Sequence, residues 1–336
     1  MTIPARAHFC WIGASLPWAY AFAILSAAER SGFPEIILHH TDELEDSAPV
    51  RSLRGTPHVQ LSRLDPIDCL TRAGCALGVG GALAALYRRL EIPASRVDVL
   101  RAAILYLQGG VYLDLDTVTT ASLLPLLDAR QFVGSELIVW PHSVRVSRSP
   151  CVWARHLTLD LLRKIMRQMP QGWRTFRRVE KFYFRGINNA IMGAEAKTSV
   201  FSNYLRAMLA LPPERQTQTY ALGPDLLQEV VDRYPQNDLT VHEPRVFYPL
   251  PPEISEHWFR IGDDIQLNSV LSAETRVVHW YASVRSKSRV AQITPHYVEQ
   301  YRERQLYSAL IYSCIDNMRL HEMTAAGPPG PVQDTI

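Results

Sequence analysis

The chain has 336 residues, 47% of them apolar and 20% charged, with a formal net charge of +2. That length holds one large or two small domains with a sizeable core, and so even a charge balance gives no footprint for nucleic acid. There is no run of 18 or more apolar residues, so no transmembrane helix is expected.

In chain order, AHFCWI (7–12) predicts a buried strand ended by Gly13. A helix follows over 17–31, with Pro17 near its start and Gly32 past its end. EIILHH (35–40) and HVQL (58–61) predict two more strands. This spacing of strand, helix and strand predicts an α/β fold with a parallel sheet. GVGG (78–81) reads as a loop, since no strand precedes it, and 82–90 as a short helix. Ser95 opens a stronger helix, SRVDVLRAAILYLQGG, with Asp98 in the place of a capping-box acid and Gly109–Gly110 closing it. VYLDLD (111–116) is the next strand, followed by GSELIVW (134–140), a helix over 152–169, and the strand or strand edge INNAIMGA (187–194). Helices are expected over 199–211 and 224–234, a strand at TRVVHWYA (275–282), and a last helix from about 295 to 323. The Gly/Pro-rich tail 324–336 is expected to be disordered.

Side chains alternate faces along a strand. Tyr112, Asp114 and Asp116 therefore share one face, and Val111, Leu113 and Leu115 the other. In open α/β sheets ligands bind beyond the carboxyl ends of the strands, where these acids fall. Two close carboxylates repel unless a cation sits between them or one is protonated. They suit Mg²⁺ or Mn²⁺ carrying a diphosphate, or a phosphoryl group attacked by Asp114. In the helix before them, Asp98 and Arg101 lie three apart on one face, beside the apolar stripe of Val97, Leu100, Ile104 and Leu107.

The run SRVDVLRAAILYLQGGVYLDLDTV resembles the signature of the DXD-motif glycosyltransferases of the sugar-binding-region superfamily. That group includes α1,4-glycosyltransferases, capsular polysaccharide transferases and clostridial glucosylating toxins. About 25 residues carry the resemblance; IPARAHFCWIG, INNAIMGA and VVHWY extend it more weakly. The resemblance implies a GT-A type α/β fold, a single Rossmann-like nucleotide-sugar-binding domain over 1–323. It would have a central mixed sheet and a helical insertion at about 150–185.

For the site, the resemblance implies that Asp114 and Asp116 hold Mn²⁺ or Mg²⁺, with His279 as a third ligand. Asp114 also contacts the ribose. Asp98 and Arg101 grip the donor sugar, Arg101 reaching the diphosphate. Tyr112 flanks ribose or sugar, and Trp11 lies near the base. Asn189, with Asn188 an equal claimant, approaches the reacting carbon. By residue type alone, Trp11 and His279 also read as core side chains and the asparagines as turn residues. The activity implied is metal-dependent, retaining transfer of a hexose from a UDP-sugar to a glycan, glycolipid or protein hydroxyl. No glutamate stands beside the motif as a nucleophile, which favours a front-face route.

Two rivals remain. DLDTV also fits the first motif of haloacid-dehalogenase-type phosphatases, with the Gly-Asp-Asp of RIGDDIQ (260–266) like their metal-binding motif. About 100 residues with their own strands precede the motif, however, and Asp98 and Arg101 would have no task. A non-catalytic glycan-binding module would be signalled by a lost carboxylate, and both are present.

The cysteines, Cys10, Cys69, Cys75, Cys151 and Cys314, are odd in number and lack a CxxC pair. They read as reduced thiols, not a disulfide framework or zinc cluster. The N-terminal run lacks the long apolar core and cleavage site of a signal peptide. A cytoplasmic, bacterial setting is expected. From Cys151 to Arg185 nine Lys/Arg face only Asp160 and Glu180. That stretch, with Trp153, Trp173, Phe176 and Phe182, is either a solvated helical face or a contact for an anionic membrane or glycan.

Overall fold

The computed structural model describes residues 2–325 except 219, 220, 235–237, 264 and 285. Among the described residues there are nine strands: β1 (Arg6–Trp11), β2 (Glu35–His40), β3 (Val59–Arg63), β4 (Gly110–Leu113), β5 (Thr117–Thr119), β6 (Gln131–Ile138), β7 (Phe184–Ala194), β8 (Leu239–His242) and β9 (Val277–His279). Seven of them form one sheet in the order β3-β2-β1-β4-β7-β6-β8, and β5 pairs with β9 in a small second sheet. The β1, β2, β3 and β4 ladders are parallel; β7 runs antiparallel to both β4 and β6. The expected α/β class with a central mixed sheet is what the chain adopts.

The helices before β4 are α1 (Trp18–Arg30), α2 (Ala48–Arg54), α3 (Pro66–Leu77), α4 (Ala82–Arg89) and α5 (Pro93–Gln108). Then come α6 (His142–Arg145), α7 (Pro150–Gln168), α8 (Gly172–Val179), α9 (Ser199–Ala210), α10 (Pro213–Gln216), α11 (Pro224–Arg233), α12 (Pro244–Phe247) and α13 (Leu267–Val270). The last three are α14 (Pro295–Tyr301), α15 (Leu306–Cys314) and α16 (Asn317–Ala325).

Both faces of the sheet are buried, as near-continuous apolar strands require. Phe9, Val111, Leu113 and Ile191 pack with Phe22, Val278 and Leu310 on one side. Cys10, Tyr112 and Met192 pack with Leu70, Leu100, Tyr204 and Leu227 on the other. Gly109 ends α5 at φ +65 and Gly110 starts β4 at φ +104. L-residues rarely adopt these angles, so this pair turns the helix into the central strand.

Four expectations need correction. Ser95 makes no cap: α5 begins at Pro93, whose ring favours the first helical position, and Ser95 is buried inside it. Asp98 turns inward instead. The strand through the DXD motif stops at Leu113, and Leu115–Asp116 form a turn, so face alternation does not place Asp116. The strand near the C-terminus spans only Val277–His279. The long last helix is three helices, broken where buried Gln305 donates to the Phe259 carbonyl (3.2 Å) and to Tyr297 Oη (2.7 Å). Of the tail, 324 and 325 belong to α16; the rest lies outside the described residues.

Candidate active site

β4 delivers Asp114 to the carboxyl edge of the sheet. There the Asp114 N–H donates to Ala190 O (2.9 Å) and its carbonyl accepts from Thr117 Oγ1 (2.6 Å). The neighbouring β7 is irregular at this level. Its pairing with β6 jumps from Val133↔Met192 to Gly134↔Asn188, leaving 189–191 without β6 partners. Such a bulge re-aims side chains, and here it brings Asn189 against α5.

Arg101 links the two elements. Its Nη1 donates to Asp114 Oδ2 (3.0 Å) and to the Asn189 carbonyl (2.8 Å), Nη2 lies 3.5 Å from Asp98 Oδ1, and its guanidinium sits 4.8 Å over the Tyr112 ring. Asn189 Nδ2 donates to Asp98 Oδ1 (2.8 Å). Burial pushes the Asp98 carboxyl up to about 6, against the pull of Arg101 and Asn189. Gly223 closes over this group: a Cβ there would stand 3.0 Å from Asp98 Oδ2 and 3.4 Å from Asn189 Nδ2.

Asp116 is held from the second sheet. Its Oδ1 lies 2.9 Å from His279 Nε2, its Oδ2 accepts from Ala282 N–H (2.7 Å), and its carbonyl accepts from Trp280 N–H (3.0 Å). Burial works to raise this carboxyl, but His279 and the Ala282 N–H hold it below the ordinary range. Burial raises Asp114, helped by Asp116 and opposed by Arg101. His279 is raised: burial alone would lower it, and Asp116 more than offsets that. One ligand atom from each of Asp114, Asp116 and His279 fits within 4.8 Å of the others. Two carboxylates and an imidazole suit a hard divalent cation such as Mg²⁺ or Mn²⁺. The buried His279 Nδ1, without a hydrogen-bond partner among the described residues, fits a site that something else completes.

A cavity of about 520 Å³ opens over these groups, within the range of small-ligand sites. Asp98, Arg101, Asp114, Asp116, Asn189 and His279 all line it, and so does Asn188. Two predicted residues do not. Tyr112 is 1% exposed beneath Arg101, and its hydroxyl donates to Asp114 Oδ1 (3.0 Å). Trp11 lies at the end of β1, 5.2 Å from Tyr20. Burial and the nearby Asp116 and Asp114 push the Tyr20 hydroxyl up to about 12.

Sequence reasoning missed Glu136 and Tyr281, which also line the cavity. Tyr281 Oη donates to Glu136 Oε2 (2.7 Å), and burial raises the Glu136 carboxyl despite hydrogen bonds from Asn188 and Tyr281. An acid inside the otherwise apolar strand GSELIV was the available signal. Of the phosphatase-type Gly-Asp-Asp, Asp263 is exposed, pairs with Arg304 at 3.4 Å and lines a different cavity, and residue 264 lies outside the described residues.

Residues 80–133 match the family model described as glycosyltransferase sugar-binding region containing DXD motif. No curated protein sequence matches the chain. Among solved structures, the chain is similar to mouse xyloside xylosyltransferase 1, with 14% identity, TM-score 0.45, 82% of this chain and 96% of that one. It is similar to the UDP-bound glycosyltransferase domain of the YGT toxin, with 11% identity, TM-score 0.40, and 72% and 80% coverage. A third is the galactosyltransferase LgtC in complex with donor and acceptor sugar analogues, with 12% identity, TM-score 0.41, and 85% and 94% coverage. Residues 80–133, the stretch that supplies Asp98, Arg101, Asp114 and Asp116, are thus where the chain matches the DXD-containing sugar-binding region of the glycosyltransferases.

Proposed function

We propose that this protein is a metal-dependent, retaining hexosyltransferase acting from a nucleotide diphosphate sugar, most simply a UDP-sugar, on a glycan, glycolipid or protein hydroxyl. One observation carries the reading: Asp98, Arg101, Asn189 and the Asp114–Asp116–His279 trio, drawn from α5, β7 and two separate sheets, converge on one cavity. A structural ion pair would need no such cavity. One domain over 1–323 with its helical insertion at 150–185, in a bacterial cytoplasm, belongs to the same reading; the five free cysteines fit it.

Asp114, Asp116 and His279 would hold Mn²⁺ or Mg²⁺, which when bound supplies positive charge against the leaving diphosphate. Arg101, fixed by Asp98, Asp114 and the Asn189 carbonyl, is pre-oriented to add its own charge there. Asp98 and Asn189 present an acceptor and an amide to sugar hydroxyls. Glu136 is already engaged, its Oε2 accepting from Tyr281 Oη (2.7 Å). A front-face route, in which the departing phosphate oxygen takes the acceptor proton, is therefore favoured over a covalent one.

Asp116→Asn should abolish Mn²⁺-dependent hydrolysis and transfer from nucleotide sugars while leaving the melting temperature near wild type. Normal turnover by that variant would remove the metal assignment. The donor is identified by which nucleotide sugar, with Mn²⁺, raises the melting temperature most, since a ligand present at about 100 times its Kd stabilises by about 2.7 kcal/mol.

A further inference from the structure

We propose that the solvent face of α7 is a membrane-docking surface for anionic lipid. The proposal does not rest on the transfer reading. Of the fifteen large apolar side chains exposed among the described residues, nine fall between Val146 and Phe184, so the exposure is concentrated on one part of the surface. Five belong to α7: Trp153 (38% exposed), Leu157 (55%), Leu161 (59%), Leu162 (40%) and Ile165 (50%).

Trp153, Leu157, Leu161 and Ile165 are spaced four apart, so they form one continuous strip along a helix about 28 Å long. The opposite side of α7 is already committed. His156, Leu159, Asp160 and Met166 are buried, and Arg163 bridges Asp160 and Glu253 of the body. The apolar strip is therefore the outward face of a firmly seated helix, and water is a poor partner for it.

Charge selects the occupant. The chain after α7 runs back along it: a Cβ on Gly172 would overlap Met166 O at 1.7 Å, Tyr183 Oη donates to Leu159 O (3.0 Å), and Arg155 Nη2 donates to Phe182 O (3.1 Å). Arg174, Arg178 and Lys181, all exposed, lie on that returning segment, with exposed Glu180 the one acid among them. Among the described residues none of these three, nor Arg155, makes an ion pair with a carboxylate. An apolar strip rimmed by unneutralised cations matches the interface of an anionic bilayer, where apolar burial and phosphate attraction add. Two copies meeting face to face would bring the same cations together. The surface also reaches the cavity: the Trp153 ring lies 5.3 Å from that of Trp140, which lines it. Docking would hold the cavity rim at the lipid headgroups.

The test is flotation with phosphatidylcholine vesicles, with and without phosphatidylglycerol. The protein should float with the anionic vesicles at about 0.01 M salt and be released at about 1 M, where the screening length falls from roughly 30 to 3 Å. Leu161→Asp, at an exposed position, should keep the wild-type melting temperature and lower vesicle affinity at least about tenfold. Arg174→Glu with Arg178→Glu should lose anionic preference. Absence of flotation at low salt, or unchanged flotation of Leu161→Asp, overturns the proposal. So does light scattering that shows a dimer which Leu161→Asp dissociates, since the strip would then be a contact between copies.

Discussion

At the scale of single residues, the site is governed by one buried cation. Arg101 is 6% exposed and shared between Asp98 and Asp114. Removing one member of a buried charge group costs more than the group contributes, because the partners stay buried without compensation. Arg101→Leu is therefore expected to lower stability by about 3–5 kcal/mol at neutral pH, read from chemical denaturation. The loss should shrink as pH falls toward 5. Burial already raises Asp98 and Asp114, and without the guanidinium both take up a proton in the fold at a higher pH than in the unfolded chain. The folded state then binds more protons, so acid favours it. A loss independent of pH would mean that Arg101 matters only for packing against Tyr112.

At the scale of elements, α7 is tied to the rest of the fold through Arg163. This residue of α7 contacts Asp160 on its own helix and Glu253 from the segment after α12, and Glu253 Oε1 also accepts from the Val139 N–H at 2.7 Å. The three side chains are 9–11% exposed. Arg163→Leu should cost about 3–5 kcal/mol and open α7–α8 locally, seen as faster hydrogen exchange over residues 150–185 than over β1 and β4. If exchange rose equally everywhere, α7–α8 would not be a separate unit of stability. The same scale explains the misread elements. α5, α1 and β2 were legible because periodicity, proline and glycine agree there. β5 and β9 are three residues each, and so short a ladder exists only because Val118 and Val278 pack into a core that local sequence does not specify.

For the molecule as a whole, acid stability is set by histidines folded away neutral. His8 Nε2–H donates to Gly109 O (2.9 Å), so its Nδ1 accepts from His39 Nε2–H (3.0 Å). Burial, and their proximity to other imidazoles, lower His8 to about 3 and His39 to about 4; burial and Arg260 bring His257 to about 4. In the unfolded chain each titrates near 6.5. Below that pH the unfolded state binds protons that the fold refuses, so stability is fully present above about 6.5 and is lost as pH falls toward the folded values. Asp98, Asp114, Glu136, Glu180 and His279, raised in the fold, contribute the opposite slope, so the histidine share is read by comparing a histidine variant with the wild type. The melting temperature of His39→Leu, taken relative to that of the wild type, should rise as pH falls from 7 to 5. A difference constant over that range would show that the pair opens to water.

By itself the sequence determined what is local or periodic: the α/β class, the Gly109–Gly110 break before the central strand, and the Asp98–Arg101 and Asp114–Asp116 spacings that marked the site. Tertiary structure alone decided which distant groups join them. The β7 bulge turns Asn189 to Asp98, the Asp116 turn meets His279 across the small second sheet, and Glu136 and Tyr281 meet over the same cavity. The reason is physical. Spacing along one helix or strand fixes neighbours three or four residues apart, whereas a contact such as Asp116 with His279, 163 residues away, exists only once the packed core has fixed both backbones.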